Sequence, residues 1–178
     1  MTAACAIRLN SALTPEQKAL FQSPDQIRDV LATARTIAIV GLSAEPQKAS
    51  HFVASHLQDA GYRIVPVNPR SGVILGETVY GDLAQIPFAV DVVDVFRPSP
   101  EVDALAEAAI QIGAKVLWQQ LRINNIPAAT RVREAGLVSI VDACIKMEHG
   151  RYSGGLHTVG MNTELVTARR ARFAGSAF

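Results

Sequence analysis

Thr36-Ile37-Ala38-Ile39-Val40-Gly41-Leu42-Ser43 decides the fold. The first five residues are β-branched or apolar without alternation, the pattern of a strand covered on both faces, and a glycine ends the run. Such a strand belongs in a sheet sandwiched between helices, and helical patterns flank it. Upstream, Ser23 is placed as an N-cap, Pro24 at the first helical position and Asp25 near the positive end of the dipole. Ile27, Val30, Leu31 and Ala34 then share one helical face. Downstream, Ala49 to Ala60 puts Val53, Leu57 and Ala60 on one side, and Gly61 ends the helix.

The alternation continues outward. Arg63 to Val67 and Asp91 to Phe96 read as further buried strands. Ser99-Pro100-Glu101 caps a helix with Val102, Leu105, Ala109 and Ile112 facing inward, closed by Gly113. Lys115 to Trp118 is a strand, Asn125 to Ala135 a helix ending at Gly136, and Leu137 to Val141 the last strand. Strand and helix in turn predict an α/β fold, a doubly wound parallel sheet of five or six strands with helices on both faces. Between Asn68 and Val90 the chain is broken by Gly72, Gly76, Gly81 and Pro87, leaving an extended Thr78-Val79-Tyr80 and one helical turn at Asp82 to Ile86. The expected organisation is a peripheral segment 1–22, with a short helix capped at Thr14 and running to Phe21, a domain 23–149, and a Gly/Arg-rich tail 150–178.

Composition sets limits on function. The 178 residues are 49% hydrophobic and 19% charged, which suits one globular domain with a sizeable core. A formal net charge of +1 gives no general attraction to nucleic acid or an anionic membrane, so any anion site must be built locally. Cys5 and Cys144 form no disulfide framework, and neither a signal-peptide pattern at Met1–Asn10 nor a long apolar run is seen. A cytoplasmic location is the expectation.

Chemistry gathers after the strands. In a doubly wound sheet the turn after the first strand lies at the carboxyl edge, where ligands bind. Gly41 lets backbone approach a ligand, Ser43 adds a hydroxyl, and the start of the next helix offers unpaired N–H groups to an anion. The dinucleotide fingerprint of three glycines is absent. The second strand ends in Asn68-Pro69-Arg70, where an NAD site places a carboxylate on the ribose hydroxyls. A cation there suits an extra ribose phosphate, as in NADP or coenzyme A. Arg97-Pro98 follows the third strand and Arg122 the fourth, so Lys48, Arg70, Arg97 and Arg122 put a cation at each of the first four strand exits.

With these residues in view, the chain resembles the coenzyme A-binding protein family, small Rossmann-like proteins similar to the cofactor domain of succinyl-CoA synthetase. The matching blocks are Ile39-Val40-Gly41-Leu42-Ser43, Gly61 to Pro69, Ile74-Leu75-Gly76, Val92 to Arg97, Ile112 to Trp118 and Val141 to His149. The resemblance implies phosphate contacts from Gly41, Leu42, Ser43 and Lys48. Asn68, Pro69 and Arg70 would lie by the ribose phosphate, and Phe96, Arg97 and Pro98 opposite, along the adenine or pantetheine path. The family pattern Trp-x-Gln-x-Gly-Ile reads Trp118-Gln119-Gln120-Leu121-Arg122-Ile123 here. Gln120 is thereby implied in the cofactor site, and Arg122 replaces glycine, as a further phosphate contact or as filler of ligand space. Ala143 stands where arginine precedes the cysteine.

The expected function is binding of coenzyme A or an acyl-CoA, as a carrier, sensor or partner module without its own catalysis. A homodimer mate or an acyl-CoA enzyme is the partner class. The alternative is an enzyme, NADP-dependent or acting on acyl-CoA, for which only His51, Cys144 and Tyr80 offer reactive groups at that edge. A third reading is an interaction protein with an empty pocket. Cys144 reads as a buried structural thiol rather than a nucleophile paired with His149. His51 and His56, five apart, point away from one another on a helix, so no histidine has metal-ligand spacing. Trp118 is expected in the core, Asp91 in water at a strand start, and Asp94 paired with a backbone or basic group. Arg169-Arg170-Ala171-Arg172 reads as a solvated tail.

Overall fold

The computed structural model of the protein describes residues 13–70 and 72–153. Cys5, His157 and the Arg169–Arg172 cluster lie outside the described residues. In chain order the elements are α1 (Pro15–Phe21), α2 (Pro24–Thr33), β1 (Thr36–Val40), α3 (Ala49–Asp59) and β2 (Arg63–Val67). There follow β3 (Val73–Ile74), β4 (Glu77–Thr78), β5 (Val92–Val95), α4 (Val102–Gln111) and β6 (Val116–Gln119). The described chain ends with α5 (Ile126–Glu134), β7 (Val138–Ile140) and α6 (Ile145–Ser153).

Five strands pair in parallel in the order β2-β1-β5-β6-β7, and β3 and β4 form a separate two-stranded hairpin. From β1 the chain moves outward to β2 and then returns past β1 to β5. The order therefore reverses between β1 and β5, and the crevice outside their carboxyl ends is the switch point of the sheet. Pro66 is tolerated because β2 is an edge strand, whose rim is closed by a bridge from Val67 to Tyr80.

Alternation along each strand divides the core in two. Ile37, Ile39, Trp118 and Ile140 pack under α2, α3 and α6 with Ile27, Leu31, Val53, Leu57 and Ile145. Ala38, Val93, Val95 and Leu117 face α4 and α5 through Val102, Ala106, Ala109, Ala128 and Val132. Trp118 is fully buried and its indole N–H donates to the Ala143 carbonyl at 2.7 Å, as a core role requires.

Several local expectations change. Ala60 follows α3 as its exposed C-cap rather than joining the buried stripe. Ser23 sits at the N-cap of α2 but its hydroxyl makes no capping bond, whereas Thr14 and Gln17 form a reciprocal capping box on α1. Segment 13–22 packs against the domain: Phe21 is buried with Leu13, Ala129 and Val141, and the Gln22 amide donates to the carbonyls of Val141 and Asp142. Asp91 is not simply in water. It accepts the N–H groups of Arg35 and Thr36 at 2.9 and 3.0 Å and pairs with Lys115 at 2.7 Å. Desolvation raises its pKa, but the Lys115 hydrogen bond and the two backbone donors outweigh it and hold the carboxyl below its ordinary value. Finally, α6 continues through Gly150 to Ser153, across the point at which the apolar periodicity fades.

Candidate functional site at the carboxyl edge

The switch-point crevice is built from three adjacent strand exits. β1 runs into Gly41, whose N–H donates to Val67 and whose φ of +88° is in the region that favours glycine. A Cβ at Gly41 would stand 3.0 Å from Arg97 Cδ and 3.1 Å from the Phe96 carbonyl oxygen. The turn after β1 and the exit of β5 are thus in direct contact, with the Arg97 stem laid over the glycine. Leu42 points into the core, so it faces a ligand only through backbone. Its carbonyl accepts from the Asn68 amide at 2.9 Å, and Asn68 in turn accepts the Arg70 N–H at 2.9 Å. Asn68 therefore joins the β1 and β2 exits and shapes the loop that carries Arg70.

Ser43 N–H donates to Ser50 Oγ at 3.1 Å, tying the turn to the first residues of α3, and Ser43 Oγ accepts from Glu45 N–H. Lys48 is the N-cap of α3 and its side chain makes no capping bond, so the first amides of that helix keep their positive end toward the crevice. Lys48, Pro69, Arg70, Arg97 and Pro98 are exposed and Phe96 is half-buried. Because β2, β1 and β5 are neighbours and parallel, Arg70, Lys48 and Arg97 all follow the carboxyl ends of one contiguous strip of sheet.

Two acids share this edge. Arg97 makes a bidentate pair with Glu101 at 2.8 and 3.0 Å, and Lys48 lies 3.9 Å from Glu45. The Arg97–Glu101 spacing of four residues was visible in the sequence. After β6, Arg122 is exposed and adopts φ +68°, in the left-handed region that favours glycine. Its N–H is gripped by Asp142 Oδ1 at 2.6 Å, and Asp142 is itself left-handed with φ +55°.

Gln120 is committed elsewhere. Only 3% exposed, it donates its amide nitrogen to both oxygens of Asp94 at 2.8 and 3.0 Å. Asp94, fully buried between Ile39 and Trp118 in the strand register, is thus paired with an amide and not with a backbone or basic group. Desolvation pushes its pKa to about 8 against the opposing Gln120 hydrogen bond, so the carboxyl is largely protonated at neutral pH. No feature of the apolar run signals this pairing across 26 residues.

The candidate reactive groups do not assemble. Cys144 is half-buried before α6, and burial pushes its thiol above the ordinary range, away from thiolate. His149 turns to His56 rather than to Cys144. Tyr80 packs edge-on to Phe88 with ring centroids 6.2 Å apart. Among the described residues no group of three or more His, Cys, Asp or Glu is placed to hold a metal, and no helix is long and apolar enough to cross a membrane.

A cleft of about 450 Å³ opens at the opposite, amino edge of the sheet, between α2 and the starts of β5, β6 and β7. Gln26, Asp29, Asp91 and Lys115 line it. Carboxylates there, with Lys115 already neutralised by Asp91, repel a polyanion. Shape favours this cleft, and charge favours the carboxyl edge for a phosphate-rich ligand.

Known proteins agree with this architecture. The sequence pattern of the family described as CoA binding domain matches residues 35–150. The chain is 39% identical to the "Uncharacterized protein YneT" of Bacillus subtilis over 131 residues, covering 72% of this chain and 97% of that one. It is 30% identical over 95 residues to the alpha subunit of an ADP-forming acetate–CoA ligase of Pyrococcus furiosus, covering 50% of this chain but 21% of the subunit. Among solved structures, a hypothetical protein from Pyrococcus horikoshii superposes with a TM-score of 0.72 at 35% identity, covering 74% of this chain and 93% of that one.

Proposed function

The chain belongs to the CoA binding domain family, and from that premise we propose that it binds coenzyme A or an acyl-CoA at the carboxyl edge of its sheet. The phosphates lie on the Gly41–Ser43 turn and the start of α3, met by Lys48 and Arg97. Arg70 and Asn68 face the ribose phosphate, and Phe96 and Pro98 line the rest of the path. Arg122, on the next exit, extends the positive rim. The protein then acts in the cytoplasm as a carrier, sensor or partner module, and the bound thioester is transformed by another protein. The ligase subunit with which it shares half its length supports this reading, since there the similar region is a fraction of a larger CoA enzyme.

The observation that carries the proposal is the contact of Gly41 with Phe96 and Arg97 at the switch point, flanked by Lys48 and Arg70. The energetics favour ligand over the internal pairs. Exposed ion pairs such as Arg97–Glu101 are worth about 0–1 kcal/mol, whereas a hydrogen bond to a charged phosphate contributes roughly 1.5–3 kcal/mol. Arg97 therefore leaves Glu101 for a phosphate. An NADP enzyme requires an acid, base or nucleophile beside the ligand; burial keeps Cys144 a thiol and Tyr80 packs on Phe88, which leaves His51, in the first turn of α3, as the candidate near the turn.

Calorimetric titration with CoA, acetyl-CoA, NADP and ATP is the test. CoA and acetyl-CoA bind one per chain, and NADP and ATP at least tenfold more weakly by about one lost phosphate contact. NADP binding more tightly than CoA overturns the reading in favour of the enzyme alternative. No binding by any of the four leaves the interaction protein.

A further inference from the structure

Away from the carboxyl edge, α3 and α6 meet through two rungs of side chains. Lys146 Nζ lies over the Phe52 ring at 4.1 Å, and His149 meets His56 with Nδ1 to Nε2 at 3.2 Å. The two imidazoles cross at 74° with centroids 5.2 Å apart, and the edge of Tyr62 closes against His149 at 5.6 Å. Tyr62 is fixed in turn by its hydroxyl, which donates to the Leu31 carbonyl at 2.7 Å. Among the described residues no carboxylate pairs with either imidazole. Burial, and then the neighbouring His56, keep His149 below the ordinary histidine range and so in the neutral form.

A hydrogen bond between two partly exposed imidazoles contributes little to the fold. The same separation has a stronger use. Two nitrogens bound to one tetrahedral ion at about 2.0–2.1 Å stand roughly 3.3 Å apart. We propose that His56 Nε2 and His149 Nδ1 form a bidentate site for a borderline divalent cation of the Zn2+ type, clipping α6 to α3.

On binding, the proton shared between the rings moves to the other ring nitrogen of its own imidazole, so His56 Nε2 and His149 Nδ1 both offer a lone pair to the ion. Nitrogen donors select Zn2+, Ni2+ or Cu2+ over Mg2+ or Ca2+. Since no third His, Cys, Asp or Glu completes the set among the described residues, water or an external ligand fills the remaining positions. The histidine spacing along the sequence hides the pair, because its members lie 93 residues apart on two helices.

The test is Zn2+ titration of the intact protein by calorimetry and thermal melting. One Zn2+ binds per chain and raises the melting temperature. His56→Gln or His149→Gln weakens binding by roughly tenfold or more, while a His51→Gln/His157→Gln double variant binds as the parent does. Imidazole nitrogen NMR of the unaltered protein, which needs no variant to fold, shows Zn2+ shifting His56 and His149 together and leaving His51 in place. Absence of binding at millimolar Zn2+, equal binding by the single variants, or shifts confined to other histidines overturns the proposal.

Discussion

Asp94→Asn stabilises the protein by about 2–3 kcal/mol at pH 8 and by little at pH 4. The carboxyl is fully buried with Gln120 as its hydrogen-bond partner and no cation, and its pKa is raised from 3.8 to about 8. Between those values the unfolded chain has released a proton that the folded chain retains. The contribution of Asp94 is therefore complete below the unfolded value, declines as pH rises, and is gone above the folded value. A tenfold difference in proton affinity between the two states corresponds to about 1.4 kcal/mol, so a shift from 3.8 to about 8 sets a ceiling of about 6 kcal/mol. Relaxation around a buried charge and the asparagine Nδ2, which meets the Gln120 Nε2 donor against donor unless that amide turns over, reduce the gain. Urea unfolding of both proteins at pH 5, 6.5 and 8 reads this directly, and stability curves that run parallel with pH contradict it.

Lys48→Ala and Arg97→Ala each weaken CoA by one to two orders of magnitude, following from about 1.5–3 kcal/mol per charged contact. The two side chains lie on different strand exits, so the double variant loses nearly the product of the two factors. Fold stability does not change with them. Both are exposed, and the pairs they leave, with Glu45 and Glu101, are surface pairs worth about 0–1 kcal/mol. A loss of affinity accompanied by an equal loss of melting temperature points instead to damage of the turn. Unchanged affinity in both variants places the ligand elsewhere.

The scaffold was legible because burial on both faces leaves a plain mark. β1, β2, β5, β6 and β7 are short apolar runs, and each run marks its strand with ends shifted by at most one or two residues. The cations at that edge were legible for a related reason: Arg70, Arg97 and Arg122 follow strand ends closely, and Lys48 opens the helix after β1. Less regular features escaped. α6 carries Gly150 and an exposed Met147, so no continuous apolar stripe announces it; its place is set by tertiary packing of Ile145. Gln120 and Asp94 are each ordinary polar residues until two adjacent parallel strands set them side by side. Asp91 reads as a solvated strand start because its partners, two backbone amides and Lys115, come from other strands and loops. Arg122 is instructive in the opposite sense. Its backbone is in the left-handed region that favours glycine while its side chain carries a charge, and the Asp142 carboxylate that holds it belongs to the next strand exit.

Amide chemical-shift mapping during a CoA titration tests the location of the ligand most directly. The amides of Gly41–Ser43, Ala49–His51, Asn68 and Phe96–Arg97 move together and saturate at one equivalent. Shifts that instead cluster at Gln26, Asp29, Thr33 and Asp91 put the ligand in the amino-edge cleft, and the cationic carboxyl edge is then not where the cofactor binds.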